Sequence, residues 1–91
     1  MLSVRRLIWD AWNVAHIARH HVIPEEVEEV CHDQPVTSET YKGRLRVVGL
    51  TQSGRILTGI LAPTPEAGVY YPITARPADR KERRNYREEH A

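Results

Sequence analysis

The chain has 91 residues, of which 41% are hydrophobic and 27% are charged. A chain of this length predicts one domain over residues 1–91, with a modest core and no cofactor-binding subdomain, so no cofactor is expected. Its single cysteine, Cys31, leaves no partner for an internal disulfide. No apolar run is long enough for a signal peptide or a membrane span. We therefore expect a cytoplasmic protein with no membrane partner.

The formal net charge is only +1, but the charges are distributed unevenly. Residues 1–33 carry three basic and six acidic side chains, whereas residues 34–87 carry ten basic and four acidic ones. Such asymmetry indicates an anionic partner for the second part of the chain. The alternative interpretation is a solvated surface stabilised by ion pairs between residues four apart on a helix.

The N-terminal third predicts a short strand at residues 7–9 and two helices. Asp10 suits the N-cap of a helix over residues 11–20, because its carboxylate can accept the free N–H groups of the first turn. Spacings of three and four residues predict that this helix turns Val14, Ile17, Ala18 and His21 inward. Pro24 suits the first position of the second helix. The inward side chains of that helix are predicted to be Val27, Val30 and Cys31.

The rest of the chain predicts strands over residues 36–41, 44–50, 55–62 and 69–75. The short connections between them favour a mainly antiparallel sheet. Pro72 indicates an edge position or a bulge, because proline cannot donate to the ladder. Asp79 and Glu82 have capping-box spacing and predict a helix over residues 80–89. The predicted order is β-α-α-β-β-β-β-α, an α+β fold with two N-terminal helices, one C-terminal helix and all helices on one side of the sheet.

Two histidines, His16 and His20, are four residues apart on the first helix and could bind zinc. However, Ile17 stands where the metalloprotease motif needs a glutamate, and no third ligand occurs at a familiar spacing. We therefore predict no metal site. Imidazole groups suit proton transfer at neutral pH, so the histidines either face an active cleft or form hydrogen bonds within the structure.

Arginines recur on the predicted strands, at Arg44, Arg46, Arg55 and Arg76. Guanidinium groups remain charged and match phosphate geometry, and Arg44 and Arg46 share one face because they are two residues apart. A ribonuclease needs a base for the 2′-hydroxyl, an acid for the leaving oxygen and cations for the extra phosphate charge. The alternative is that these are surface arginines, or that Arg76 anchors the final helix through a carboxylate.

Three motifs that occur in this order resemble the BrnT family. The first comprises Trp9-Asp10, Asn13, His16-Ile17, Arg19-His20, Val22 and residues 24–30. The second comprises Arg44 ahead of Gly49, then Gly54-Arg55-Ile56-Leu57. The third comprises Ile73-Thr74-Ala75-Arg76-Pro77-Ala78, residues 80–83 and Tyr86. Together they extend over nearly the whole chain.

This resemblance implies a RelE-like fold and a toxin of a type II toxin–antitoxin system that cleaves RNA without a metal. It also implies a BrnA-like antitoxin whose ribbon-helix-helix part binds operator DNA, so that DNA is contacted only through the antitoxin. The catalytic residues implied are His20, Arg44, Arg76, Glu82 and Tyr86. RNA contacts are expected from His16, Arg46 and Lys81. Glu82 has an alternative role in capping its helix, and Tyr86 has one in packing.

Two departures from the family pattern affect the connection between the first and second helices. His21 stands where the family usually has glycine, at a position that often needs a left-handed backbone. Ile23 replaces the capping serine or threonine before Pro24. The alternative hypothesis is therefore a non-catalytic BrnT-like module that holds a protein partner or RNA without cutting it.

Overall fold

A computed structural model describes residues 4–91. Its elements in chain order are β1 (Arg6–Leu7), α1 (Ala11–Ala18), α2 (Pro24–His32), β2 (Val36–Glu39), a 3-10 turn (Tyr41–Gly43), β3 (Leu45–Leu50), β4 (Ile56–Pro63), β5 (Val69–Pro77) and α3 (Arg80–Glu89). This succession confirms the predicted α+β order. Within residues 4–91, no helix is long and apolar enough to cross a membrane.

The five strands form one sheet in the order β1-β5-β4-β3-β2. Three neighbouring pairs, β2 with β3, β3 with β4 and β4 with β5, are antiparallel. Only β1 runs parallel to its neighbour, through Arg6 opposite Val69 and Leu7 opposite Tyr70. The sheet is thus mainly antiparallel, as expected for strands joined by short turns.

Pro72 lies at a bulge and not on an edge strand. β5 is placed between β1 and β4, and the β4–β5 register shifts between Ile60 and Leu61, the residue opposite Pro72. The two-residue pairing with β1 ends at Tyr70. The proline therefore needs no N–H for the ladder on either side, which confirms the bulge interpretation and excludes the edge one.

The helices cover both faces of the sheet, which corrects the expectation that they lie on one side. α1 and α2 enclose the larger core, which includes Ile17, Val27 and Val47. α3 covers a smaller cluster that includes Val48 and Tyr86. Because Val47 and Val48 are adjacent on β3, their side chains must point to opposite faces. The short amphipathic patterns predicted the helices, but they did not predict which face of the sheet each helix covers.

α1 faces the sheet with a polar side chain that the sequence pattern placed elsewhere. Asn13 is completely buried, and its amide donates to the carbonyl oxygens of Ile8 at 2.9 Å and Pro72 at 3.1 Å. Asp10 caps the helix by accepting from the Asn13 N–H at 3.0 Å. Val14 is 37% exposed, so the predicted apolar stripe is wrong apart from Ile17. A buried amide is stable here because both its protons are satisfied.

The connection from α1 to α2 has the left-handed backbone that the family pattern indicated. His21 has a φ of 59°. Ile23 has no polar side chain to cap α2, but its N–H donates to the Glu26 carboxylate at 3.1 Å. Arg55 holds the same connection, donating to the His21 carbonyl at 2.9 Å and to Glu26 at 2.8 Å. The Glu26 carboxylate and the Arg55 guanidinium thus stabilise this connection, which lacks the glycine and the capping serine or threonine of the family pattern.

Gly49 allows α2 to approach β3 closely. A Cβ atom at this position would lie 2.9 Å from Val30 Cγ1 and 3.1 Å from the Val30 carbonyl oxygen. Any larger residue would therefore push α2 away from the sheet. The glycine of the central motif has this packing role.

Candidate functional site

The sheet face beneath α3 carries the polar residues of the candidate site. Arg46 of β3 lies opposite Ser38 of β2, and its Nε donates to the Ser38 hydroxyl at 3.3 Å. Two residues further along β3, Val48 lies opposite Thr58 of β4, which in turn lies opposite Arg76 of β5. Since side chains alternate across each strand, these residues share the face that α3 covers.

An ion pair fixes the first turn of α3 to this face. Two nitrogens of Arg76 donate to the two carboxylate oxygens of Glu82, at 2.9 and 3.1 Å. Glu82 also accepts from the Asp79 N–H at 2.9 Å, and the Asp79 carboxylate accepts from the Glu82 N–H at 2.8 Å. The predicted capping box is therefore present. Arg76 thus anchors the final helix through the Glu82 carboxylate. This was the alternative to a phosphate contact in the interpretation of the arginines.

The surroundings of Glu82 keep its carboxylate ionised. Partial burial alone would raise the pKa of Glu82, but hydrogen bonding to Arg76 and Asp79, a nearby hydroxyl and the Arg76 charge lower it to about 2. The same hydrogen bonds raise the pKa of Arg76. The hydroxyl belongs to Thr58, which is buried near Glu82 but has no hydrogen bond of ordinary geometry with any residue of 4–91. Glu82 is therefore a weak base while Arg76 holds it.

Tyr86 anchors α3 by packing. Its side chain is 7% exposed, and its ring stacks on His90 with 4.1 Å between centroids. His90 in turn places Nε2 2.9 Å from the Gln34 carbonyl oxygen, which ties the end of α3 to the segment before β2. Burial and then the charge of Asp33 raise the pKa of the Tyr86 phenol. These contacts agree with the alternative role of Tyr86, which is packing.

A groove of about 620 Å³ runs between α3 and the strands β2 and β3. Its sheet wall consists of Val36, Thr37, Ser38, Arg46 and Val48. Its helix wall consists of Asp79, Lys81, Glu82, Arg84, Asn85 and Glu88. Among residues 4–91, no carboxylate forms an ion pair with Arg46, Lys81 or Arg84. The groove thus presents three cations without ion-pair partners in residues 4–91 and two hydroxyl groups to an anionic ligand, beside the carboxylates of Asp79, Glu82 and Glu88.

Arg44 shares this face but lies beyond the groove. Alternation places it on the same side of the sheet as Arg46, just before β3 begins at Leu45. It is four residues from Val48, so it lies about 13 Å along the strand from the level of Arg76. A ligand seated in the groove would contact Arg46 before it reached Arg44.

His16 and His20 lie on the other side of the sheet. α1 packs through Ile17 into the larger core, which is on the face opposite α3. On the outer surface of α1, the His16 ring stacks on Trp12 at 4.8 Å, and the His20 ring meets His16 edge-on at 6.2 Å. The two histidines therefore form an aromatic cluster with Trp12, separated from the groove by the sheet.

The structure therefore does not bring His20, Arg44 and Arg76, three of the implied catalytic residues, together in one cleft. His20 lies across the sheet from the two arginines, and Arg44 lies about 13 Å along the strand direction from the level of Arg76. The structure instead brings together Arg46, Lys81 and Glu82, with Arg76 paired to Glu82.

Sequence reasoning did not identify Ser38 and Arg84 as groove residues. A signal for Arg84 was present, because Lys81, Arg84 and Glu88 recur at spacings of three and four residues and so share one face of α3. Ser38 had no such signal. Its position depends on the register between β2 and β3, which a single weak strand pattern does not specify.

The described part of the chain, residues 4–91, contains no group of three or more histidine, cysteine or acidic side chains that could hold a metal ion. Comparison with models of known protein families gives no match, and comparison with curated proteins gives none either. The resemblance to BrnT toxins rests on the three sequence motifs alone.

Proposed function

We propose that this protein is a cytoplasmic, metal-independent endoribonuclease of a type II toxin–antitoxin system. A BrnA-like antitoxin would inhibit it and would make the only contact with operator DNA. The observation that carries the proposal is the groove beside α3, where Arg46, Lys81 and Arg84 have no carboxylate partner within residues 4–91. The three BrnT-like motifs support the same activity.

The proposed reaction uses the 2′-hydroxyl of RNA as its nucleophile. The O2′ oxygen attacks phosphorus, the P–O5′ bond breaks, and the products are a 2′,3′-cyclic phosphate and a 5′-hydroxyl end. Negative charge accumulates on the phosphate oxygens as the new bond forms, and fixed cations stabilise that charge. Arg46 and Lys81 face each other across the groove and are the cations that we assign to this role.

Proton transfer would require Glu82 to leave its present partner. We assign the 2′-hydroxyl proton to the Glu82 carboxylate once a phosphate oxygen has taken its place on Arg76. Separation from Arg76 removes the main contacts that lower the pKa of Glu82, so the carboxylate becomes a stronger base. Lys81 would then donate a proton to the departing O5′ oxygen.

A non-catalytic RNA-binding or protein-binding module is the second candidate. It is favoured by the position of His16 and His20, which lie across the sheet from the groove. It is also favoured by the present state of Glu82, which is held by Arg76 and by the cap of α3. A groove of this kind can bind an anion without moving a proton.

Incubation of the purified protein with RNA in EDTA tests the proposal. We expect cleavage to 2′,3′-cyclic phosphate ends, and no cleavage of RNA that carries 2′-O-methyl groups, which lack the nucleophile. The double variant R46Q/K81Q should cleave about 10²–10³-fold more slowly, because it removes two charge-stabilising groups. The matched control is R5Q/R6Q, which loses the same charge at two exposed arginines paired with Glu66.

Two results would contradict the ribonuclease proposal. Wild-type protein that leaves RNA intact but binds it in an Arg46-dependent way would establish the binding module instead. Equal loss of activity in R46Q/K81Q and R5Q/R6Q would show that the groove has no specific role. Circular dichroism and thermal unfolding of each variant would show that the fold is retained.

A further inference from the structure

The outer face of α3 carries a continuous row of cations. Arg80, Arg83, Arg84 and Arg87 follow one another at spacings of three, one and three residues and line one shallow surface depression. Such spacing places them on a single helix face. They extend over about 10 Å of the helix axis, at 1.5 Å per residue. Arg80, Arg84 and Arg87 are exposed, and Arg83 is half-buried. We call this row the arginine stripe.

The arginine stripe differs from the paired arginines elsewhere in the molecule. Arg5 and Arg6 lie near Glu66, Arg55 pairs with Glu26, and Arg76 pairs with Glu82. No stripe residue makes an ion pair with any carboxylate of residues 4–91. Among the stripe residues, only Arg83 has a side-chain hydrogen bond to another residue of 4–91, to the Ala78 carbonyl oxygen at 2.6 Å. The guanidinium groups at the two ends of the stripe therefore remain available to a ligand.

Helix stability explains only part of the stripe, because Arg87 alone lies in the last turn, where the helix dipole favours a cation. Arg80 and Arg84 are four residues apart, as are Arg83 and Arg87, and like charges at this spacing destabilise a helix by about 0.2–0.5 kcal/mol for each pair. Arg80 also occupies the first turn, where the helix dipole disfavours cations. Both effects would be removed by an anion bound along the stripe.

We infer that the arginine stripe binds the phosphate backbone of single-stranded RNA and guides it into the groove. This inference rests on the proposed function, because Arg84 and Glu88 line both the groove and the depression that the stripe borders. Guanidinium groups match both phosphate and carboxylate with paired N–H donors, and we choose phosphate because the substrate proposed for the adjoining groove is RNA. No aromatic side chain of the described residues 4–91 lines the depression along the stripe, so the stripe should bind without preference for particular bases.

The double variant R80Q/R87Q isolates the stripe from the groove. Both arginines are exposed, and neither lines the groove. Neutralising Arg80 removes an unfavourable cation from the first turn of α3, and neutralising Arg87 removes a favourable one from the last turn, so the two effects on helix stability should largely cancel. The matched control is again R5Q/R6Q. The probe is a fluorescent oligouridylate of about 12 nucleotides with 2′-O-methyl groups, which binds but cannot be cleaved through O2′.

The binding constant for the probe is measured by fluorescence anisotropy at KCl concentrations from about 50 to 200 mM. We expect R80Q/R87Q to bind the probe about tenfold more weakly at the lowest salt. The slope of log K against log[salt] should become shallower by about 1.4, since each lost phosphate contact on a single strand contributes about 0.7. R5Q/R6Q should keep the wild-type slope.

Three outcomes would overturn the inference. The first is an unchanged salt slope in R80Q/R87Q, and the second is the same reduction in R5Q/R6Q, which would indicate a general charge effect. The third is tighter, stripe-dependent binding of an oligoglutamate peptide than of the RNA probe, which would identify a surface for an acidic protein.

Failure of the stripe can be distinguished from failure of the proposed ribonuclease. If the wild type binds the probe through the stripe but does not cleave unmodified RNA, the stripe stands and the catalytic proposal is wrong. If the wild type cleaves RNA but R80Q/R87Q binds the probe normally, the catalytic proposal stands and the stripe is wrong.

Discussion

Arg76 illustrates how a partner within the fold determines what a residue can do. The family resemblance implies a phosphate contact, but the structure places the Glu82 carboxylate 2.9 Å from its guanidinium group. A phosphate must therefore compete with an ion pair that already exists. Arg46 faces no such competition, since its one side-chain hydrogen bond within residues 4–91 is to the Ser38 hydroxyl. Arg46 is the better candidate for first contact with RNA.

Glu82 should make stability depend on acid pH. Its folded pKa of about 2 is below the ordinary value of 4.5, so the stabilisation is present above about pH 4.5 and is lost as pH falls towards 2. We expect E82Q to lose about 1–2 kcal/mol of unfolding free energy at pH 7. Urea unfolding should show that this difference from wild type shrinks between pH 4.5 and pH 2.

The control for this prediction is E88Q, which removes an exposed carboxylate that forms no ion pair with a cation of residues 4–91. E88Q should follow the wild-type stability at every pH. An E82Q variant as stable as wild type at pH 7 would show that the Arg76 pair and the cap of α3 contribute nothing measurable.

The elements of this fold are short, and their ends are held by specific contacts. α3 is strongly polar, yet it is fixed at its start by the Asp79–Glu82 capping box and at its end by Tyr86 and His90. α1 is only eight residues long and depends on the buried amide of Asn13. Helices of this length gain most of their stability from tertiary contacts.

The turn between α1 and α2 contains backbone strain that a substitution should relieve. His21 has a φ of 59°, a conformation that costs a non-glycine residue about 1–2 kcal/mol. Glycine removes that cost but adds freedom to the unfolded chain. We expect H21G to raise the free energy of unfolding by up to about 1 kcal/mol, as measured by urea unfolding.

The matched control is A15G, which places a glycine at an exposed position in the middle of α1. It should destabilise the protein by about 1 kcal/mol, because glycine is unfavourable in a helix interior. A loss of stability in H21G comparable to that in A15G would show that the left-handed turn is not strained.

At the scale of the whole molecule, the sheet separates two surfaces with different chemistry. One surface carries the groove and the arginine stripe on α3, and the other carries α1 with the Trp12, His16 and His20 cluster. The larger core lies between the sheet and the two N-terminal helices. RNA bound to α3 would therefore leave the α1 surface free.

Cys31 provides a probe of global unfolding. It is 8% exposed within the larger core, and burial, with a smaller effect of Glu28, raises the pKa of its thiol to about 12. The thiol should remain protonated and unreactive at pH 8, since the thiolate is the reactive form. We expect a chromogenic disulfide reagent to modify Cys31 only when urea unfolds the protein.

S53C supplies the comparison, because Ser53 is exposed in the turn between β3 and β4. Its added thiol should react at once under native conditions, and Cys31 should react with the unfolding transition measured by circular dichroism. Rapid modification of Cys31 in the native wild type would contradict the packing of α2 against the sheet.

The local part of this structure could be predicted from sequence because short-range chemistry specifies it. Asp10 and Asp79 mark helix starts through the N–H groups they accept, and Pro24 begins α2 where its missing N–H is not needed. Pro72 indicated an edge position or a bulge for the same reason. The left-handed position at His21 followed from the family pattern of residues around a helix end. Each of these signals acts over a few residues.

The amino-acid sequence by itself determined the order of elements, the helix caps at Asp10 and Asp79, and the concentration of cations in the last helix. Only the tertiary structure decided that α3 lies across the sheet from α1, that Arg76 pairs with Glu82, and that Arg46 and Ser38 share a groove with Lys81. These relations depend on which face each helix covers and on strand register. Periodicity shows that a helix has an inward face, whereas packing of the whole chain decides which side of the sheet that face meets.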